Sequence, residues 1–372
     1  MKFLRAERQI LDSVLPGFDE ALSSRRLLDF EKRGSLAVTI FKNSRAPSLL
    51  IPTSLGGLAA TALQMVAVQR AIAARSPSLA IASTMHHFTV AVMREIASNS
   101  EVVNHTLQSI ASDSLLVASG FAEGRPHCET FNPQMSVEPY RDGYRVNGSK
   151  KPCSLTYSMD LLTASATLSE QGKKELAVVL IPAHVAGIER SQFWSVPYLA
   201  GAESDEIRLT DVVIPQSHLI RIGEGNNLDS LQRIGFIWFQ LLATASYIGV
   251  ASALVERVLL ASRGSSADLA QFGIEIEGAM VGVEGISRSV DSGERGSDIL
   301  QKALFLRYGV QQSLHRVSTL AVDLLGGIRF MTDEEIGYLV GSIQALAFHP
   351  PSRFSMSESL AESLRGGDIW IR

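Results

Sequence analysis

A three-part α+β fold, helical then β then helical, is what this sequence predicts, and three observations carry that expectation. Apolar residues recur at i, i+3 and i+4 through residues 58–97. Short alternating segments with turn residues between them fill the middle of the chain. Long helical periodicity then returns and runs to the end, without the regular strand–helix alternation of a parallel sheet.

The elements follow in order. Residues 58–97, LAATALQMVAVQRAIAARSPSLAIASTMHHFTVAVMREIA, predict two well-buried helices separated by a turn at Ser76-Pro77-Ser78. From about Leu115 the texture changes, and Val137–Tyr140 leads through Arg141-Asp142-Gly143 to Tyr144–Gly148, a hairpin pattern with Asp-Gly at its turn. Further strands are expected at Leu161–Thr167, Glu175–Ile181 and Glu206–Leu209, closing at Asp211-Val212-Val213-Ile214-Pro215. Beyond the polar loop at residues 223–227, helices are predicted over Phe239–Leu260 and Gln301–Leu325. Gly249 and Ala251 in the first of these imply a close helix–helix approach. The pattern divides the chain into 1–112, 113–222 and 223–372.

A chain of 372 residues, 46% hydrophobic and 19% charged, has the material for large cores. A formal net charge of −4, with no Lys/Arg cluster interleaved with aromatics, argues against a nucleic-acid partner. No uninterrupted apolar run reaches the roughly 18 to 20 residues of a membrane span, and the N-terminus mixes charge into its apolar positions, unlike a signal peptide. The two cysteines, Cys128 and Cys153, form no CxxC pair, so no metal site is expected and a reducing cytoplasm fits.

Several local signatures, taken in order, resemble the acyl-CoA dehydrogenase superfamily. Ile51-Pro52-Thr53-Ser54-Leu55-Gly56-Gly57 is similar to its Val-Pro-Glu-x-x-Gly-Gly segment, and Gly120-Phe121-Ala122-Glu123-Gly124 to the opening of its flavin-binding Thr-Glu-Pro-Gly. Asn147-Gly148-Ser149-Lys150 resembles its Asn-Gly-x-Lys turn, Asp211–Pro215 its Asp-x-Val-x-Pro strand end, and Gln271-Phe272-Gly273 the remnant of its Arg-x-x-Phe-Gly site. Gly326-Gly327 matches its C-terminal Gly-Gly turn. The resemblance implies an N-terminal helical domain, a middle β-barrel-like domain and a C-terminal four-helix bundle. It also implies a flavin between the last two, FAD with FMN as the alternative, and a homodimer or homotetramer that shares the flavin site.

Carried over residue by residue, Phe121 and Ala122 would offer backbone donors to the flavin ring, and Ser154 a hydroxyl able to reach its N5. The family's stacking indole is replaced at Pro152-Cys153-Ser154. At the dinucleotide half, Leu269 stands where the family has its phosphate-binding arginine, and Arg263 is the nearby substitute, with Phe272, Gly326 and Gly327 around it.

The chemistry departs further. An ungapped reading puts Gly341-Ser342 at the family's Arg-Asp pair and Pro350 at its catalytic glutamate, with His349 beside it. The family's second base position maps near Phe239, in an apolar run. Removing an acyl α-proton needs a positioned base, worth roughly 10²–10⁴ in rate. His349, stiffened by Pro350-Pro351, is the candidate for that role.

His87, of the adjacent pair His86-His87, is the second candidate. Oxygen-using relatives on this fold lack the glutamate and place polar side chains over the flavin, and only one of two neighbouring helix residues, about 100° apart, can face one cavity. His127-Cys128 is a weaker third.

Three functions remain. The first is oxidation of an acyl thioester, on CoA or an acyl-carrier protein, at Cα–Cβ with an atypical base. The second is an O2-using flavin monooxygenase, with a flavin reductase as partner, and the third a non-catalytic paralogue that binds.

Overall fold

The computed structural model describes residues 2–124, 132–223 and 230–371. The N-terminal part consists of helices α1 (Arg5–Val14), α2 (Phe18–Ser23), α3 (Leu36–Lys42), α4 (Ala62–Arg75), α5 (Pro77–Ile96) and α6 (Glu101–Asp113). The expected helix pair is α4 and α5. The Thr61 hydroxyl accepts from the Gln64 amide to start α4, and Ser76 caps α5 with Pro77 at its first position, where the missing N–H costs nothing. Both helices are buried along most of their length, with apolar residues on every face and the buried polar ones of α4, Gln69 and Arg70, held by hydrogen bonds.

The middle part holds strands β1 (Val117–Gly120), β2 (Ser136–Tyr140), β3 (Gly143–Cys153), β4 (Leu161–Glu170), β5 (Lys173–Pro182), β6 (Ile188–Ser191), β7 (Asp205–Pro215) and β8 (Leu219–Gly223). They form one sheet in the order β6-β7-β3-β2-β4-β5-β8, with β1 added parallel to β4. The hairpin turn is one residue off the expectation. Tyr140 already pairs with Gly143, so Arg141, at φ 55°, and Asp142 make the turn. Gly143 is needed for another reason: a Cβ there would lie 2.2 Å from the Ile214 carbonyl oxygen of β7.

The C-terminal part comprises α7 (Ser230–Leu260), α8 (Ser266–Phe272), α9 (Gly278–Asp291), α10 (Ser297–Leu325), α11 (Gly327–Thr332), α12 (Glu334–Gln344) and α13 (Ser357–Leu364). A π-turn, Gly273–Glu277, leads into α9. Helix α7 is long and apolar enough to cross a membrane, yet nearly all of its apolar window is buried as core. It is the common wall of the molecule, packed on α4, α5, α9, α10 and α12. A Cβ on Gly249 would meet the Arg70 carbonyl at 2.4 Å and Ala73 Cβ at 2.6 Å, which is the close approach of α7 to α4 foreseen from the sequence.

Buried polar clasps tie the parts together. The Arg70 guanidinium, fully buried, bonds Ser252, Glu7 and Glu277. The Glu31 carboxylate accepts from Ser76, Ser78 and the Tyr338 hydroxyl, joining α5 to α12.

Candidate functional site

Helix α5 supplies the first wall through His86, His87 and Phe88. His86 is a structural tie. The Val117 amide donates to its Nδ1 at 3.0 Å, so the ring proton sits on Nε2, which donates to the Pro47 carbonyl at 2.9 Å. Burial pushes its pKa down to about 4 and it is neutral. This bond fixes α5 against the first residue of β1.

His87 points elsewhere, as the 100° step along a helix requires. It is fully buried, stacked edge-on to Phe41 and His86 at 5.6 and 5.1 Å. Both of its ring nitrogens lack a hydrogen-bond partner among the described residues. Burial, and secondarily His86, holds its pKa well below the ordinary histidine value. Buried polar groups are nearly always paired, so two orphaned nitrogens on one imidazole call for a ligand or water.

The next residue joins α5 to the rest of the site. The Phe88 ring meets Phe121 at 6.2 Å and Phe239 of α7 at 5.6 Å, and Phe239 in turn meets the His349 ring at 5.7 Å. An aromatic row therefore runs from the segment after β1, across α5 and α7, to the turn that follows α12. Phe239 itself is buried, so the second base position of the family holds a packing ring.

His349 ends this row. Its Nε2 lies 2.8 Å from the hydroxyl of Tyr247, a fully buried residue two turns beyond Phe239 on α7. The turn carrying it is held by α10: the buried Arg307 guanidinium donates to the carbonyls of Leu346 (3.1 Å), His349 and Pro350 (3.3 Å) and to Gln240 Oε1 (2.6 Å). Tyr308 donates to the Pro351 carbonyl at 2.8 Å. Burial first, then the Arg307 charge, pushes the His349 pKa down to about 3. Burial lowers Arg307 only to about 10, so it remains a cation. At neutral pH His349 is uncharged and a weak base, which removes most of the advantage that an imidazole with an ordinary pKa offered for abstracting an α-proton.

The segment that resembles the flavin-ring site is anchored from behind. The Glu123 carboxylate accepts from Lys150 Nζ (2.8 Å) and from the amides of Gln134 (2.9 Å) and Met135 (3.1 Å), while the Ala122 carbonyl accepts from Lys151. Phe121 and Ala122 are thereby held at a half-buried edge beside Phe88. Ser154, just past β3, is buried with its hydroxyl 2.9 Å from that of Ser204. The orphaned nitrogens of His87 and the orphaned Gln240 Nε2 mark unmet hydrogen bonding on α5 and α7, the helices that carry Phe88 and Phe239, which fits a flavin with its polar edge.

The remaining expected cofactor residues lie at one end of the helical bundle. Arg263 is exposed in the turn between α7 and α8, and the adjoining Gly264 approaches Leu324 at the end of α10. Gly326, with φ 82°, terminates α10, Gly327 opens α11, and Phe272 is buried at the end of α8. No hydrogen bond, ion pair or ring contact joins this group to Phe121, Ala122 or Ser154 among the described residues. His127 and Cys128 lie outside the described residues. A separate surface cleft of about 890 Å³, lined by Arg25, Arg26, Arg75, Arg257, Glu334 and Glu335 among others, is polar and shares no residue with the aromatic row.

Sequence reasoning missed Tyr247, Arg307 and Phe88. An arginine at a core position of α10 and a tyrosine on the Phe239 side of α7 were the available signals, but neither names its partner.

No protein-family model matches the chain. It is 43% identical over 380 residues to isobutylamine N-hydroxylase from Streptomyces viridifaciens, with 100% of both chains covered. It is 29% identical over 151 residues, 40% of this chain and 36% of the other, to dibenzothiophene monooxygenase from Rhodococcus erythropolis. Among solved structures, KijD3 in complex with FMN and dTDP-3-amino-2,3,6-trideoxy-4-keto-3-methyl-D-glucose shares the fold. Its TM-score is 0.86 at 16% identity, over 97% of this chain and 94% of that one.

Proposed function

We propose, from the premise that the chain belongs to the acyl-CoA dehydrogenase-like flavoprotein superfamily, that this flavin oxidoreductase is an O2-using N-hydroxylase of a short aliphatic primary amine. The observation that carries this reading is that the site offers imidazoles and no carboxylate. Its two candidate catalytic groups, His87 and His349, are both imidazoles kept neutral by burial, and neither family base position, Pro350 or Phe239, has a carboxylate. Dehydrogenation of an acyl thioester needs a base at one of those places, whereas hydroxylating an amine needs the nitrogen lone pair free. An aromatic row suits a small apolar amine and favours its uncharged form by withholding water. The full-length likeness to an isobutylamine N-hydroxylase supports the same substrate class.

In this reading Phe121 and Ala122 hold the flavin ring through their backbone, and Ser154 supplies a hydroxyl beside it. Arg263, Phe272, Gly326 and Gly327 are the candidates for the phosphate end. Leu269, apolar where the family has an arginine, supports FMN, or a weakly held FAD, over a tightly bound dinucleotide. A flavin held there and reduced by NAD(P)H through a separate reductase would supply the two electrons by which O2 gives one oxygen atom to the N–O bond and the other to water. On this proposal His87, whose ring nitrogens have no partner among the described residues, would hydrogen-bond the amine, and Phe88 and Phe239 would pack on its alkyl group.

The test supplies purified protein with reduced FMN or FAD, O2 and a panel of C3–C5 amines. Hydroxylamine formation that requires both O2 and reduced flavin is expected, and His87→Ala should abolish it while O2 is still consumed. Anaerobic bleaching of the flavin by an acyl thioester, with no hydroxylamine from any amine, would sink the proposal.

A further inference from the structure

We infer that Tyr247 and Arg307 are positioning residues that fix His349 as the tautomer protonated at Nδ1, so that its imidazole serves the site as a hydrogen-bond donor and not as a base. The inference deepens the oxygenase reading and, for its role in catalysis, rests on it. Tyr247 is fully buried, and His349 Nε2 at 2.8 Å is the one hydrogen-bond partner of its hydroxyl among the described residues. A buried phenolic proton left without an acceptor incurs the desolvation penalty in full. The hydroxyl therefore donates, Nε2 accepts, and the ring proton must sit on Nδ1. Burial also raises the phenol pKa, so the donor keeps its proton.

Arg307 fixes the other end. Its guanidinium is fully buried and binds only neutral oxygens: Gln240 Oε1 and the carbonyls of Leu346, His349 and Pro350. Three of those carbonyls belong to the turn that carries His349, so the fork holds that backbone where helix hydrogen bonds have ended. No carboxylate pairs with it among the described residues, and its uncompensated charge opposes a second cation on the imidazole. The groups packed against His349 are Phe239 and Tyr247 from α7 and Arg307 from α10, none of them an acid. These contacts together push His349 toward one neutral form. A fixed N–H donor suits an electron-rich oxygen at the site.

The experiment uses the full-length, flavin-loaded protein with ¹⁵N-labelled histidine, His349 being assigned by His349→Gln. Between pH 5.5 and 8 the expected spectrum shows Nδ1 as a protonated nitrogen and Nε2 as an unprotonated acceptor, with neither shift moving. In Tyr247→Phe the two shifts should approach each other as the tautomers mix, and hydroxylamine formed per O2 consumed should fall about tenfold with KM little changed. Should Arg307→Met fold, His349 would stay neutral in that pH range, because burial is the larger cause of its lowered pKa, but its two shifts should approach each other as the turn it sits on loosens. A protonated Nε2 in the unaltered protein, or Tyr247→Phe shifts indistinguishable from it, would overturn the inference. The nitrogen shifts report the tautomer whatever the reaction is, so failure of the N-hydroxylase reading would show separately, as absence of hydroxylamine from the unaltered protein.

Discussion

Lowering the pH should loosen the site through His86, and the size of the effect can be worked out. His86 joins α5 to β1 only as a neutral ring, because Nδ1 must accept from the Val117 amide. Its pKa is about 4 in the folded protein against an ordinary 6.5, mainly from burial, opposed by the bond to Pro47 and the charge of Asp160. Between those values the unfolded chain takes up a proton that the folded chain refuses. The contribution is therefore fully present above pH 6.5 and is lost as pH falls toward 4. From pH 7 to 4.5 the loss comes to about 2 kcal/mol. Glu31 and Glu203, whose carboxyl pKa values burial raises, pull the opposite way, so the measurement must isolate His86. His86→Gln does so: glutamine can still accept and donate, but does not titrate. Urea unfolding at a series of pH values should show the stability difference, original minus variant, shrinking by about 2 kcal/mol from pH 7 to 4.5. A difference constant to within about 0.5 kcal/mol would refute the reasoning.

Two further outcomes follow from packing and from buried charge. Gly249→Val places a side chain where even Cβ is 2.4 Å from the Arg70 carbonyl, so stability should drop by about 3 kcal/mol, read as a lowered thermal midpoint, whereas Gly285→Ala, where nothing lies within 4 Å, should be neutral or slightly stabilising. Lys150→Met removes the cationic partner of the buried Glu123 carboxylate behind Phe121 and Ala122 and should cost about 3 kcal/mol together with flavin affinity, measured by unfolding and by flavin titration; adding Glu123→Gln should recover part of the stability.

Much of the architecture was legible because its signals are local. The apolar run over residues 58–97 became α4 and α5, the alternating segments became β2 to β5 and β7, and Gly249 marked the close approach to α4. The Asp-Gly pair misled by one residue, since Gly143 answers to Ile214 on another strand and not to its own turn. The π-turn at Gly273–Glu277 likewise left no mark in the apolar period.

The sequence by itself determined the order of elements, the loss of the family's glutamate at Pro350, and the two histidines worth attention, because periodicity and residue identity are properties of short stretches. The tertiary structure decided what those histidines are. His86 and His87 are neighbours in the chain, yet one is a satisfied tie and the other an orphan, a distinction made by Pro47 and Val117. His349 stands 2.8 Å from the hydroxyl of Tyr247, 102 residues away in the chain, and its backbone carbonyl accepts from Arg307 on another helix. A proton's position is set by burial and by the nearest donor and charge in space, and those are brought together only when α7, α10 and the final turn pack.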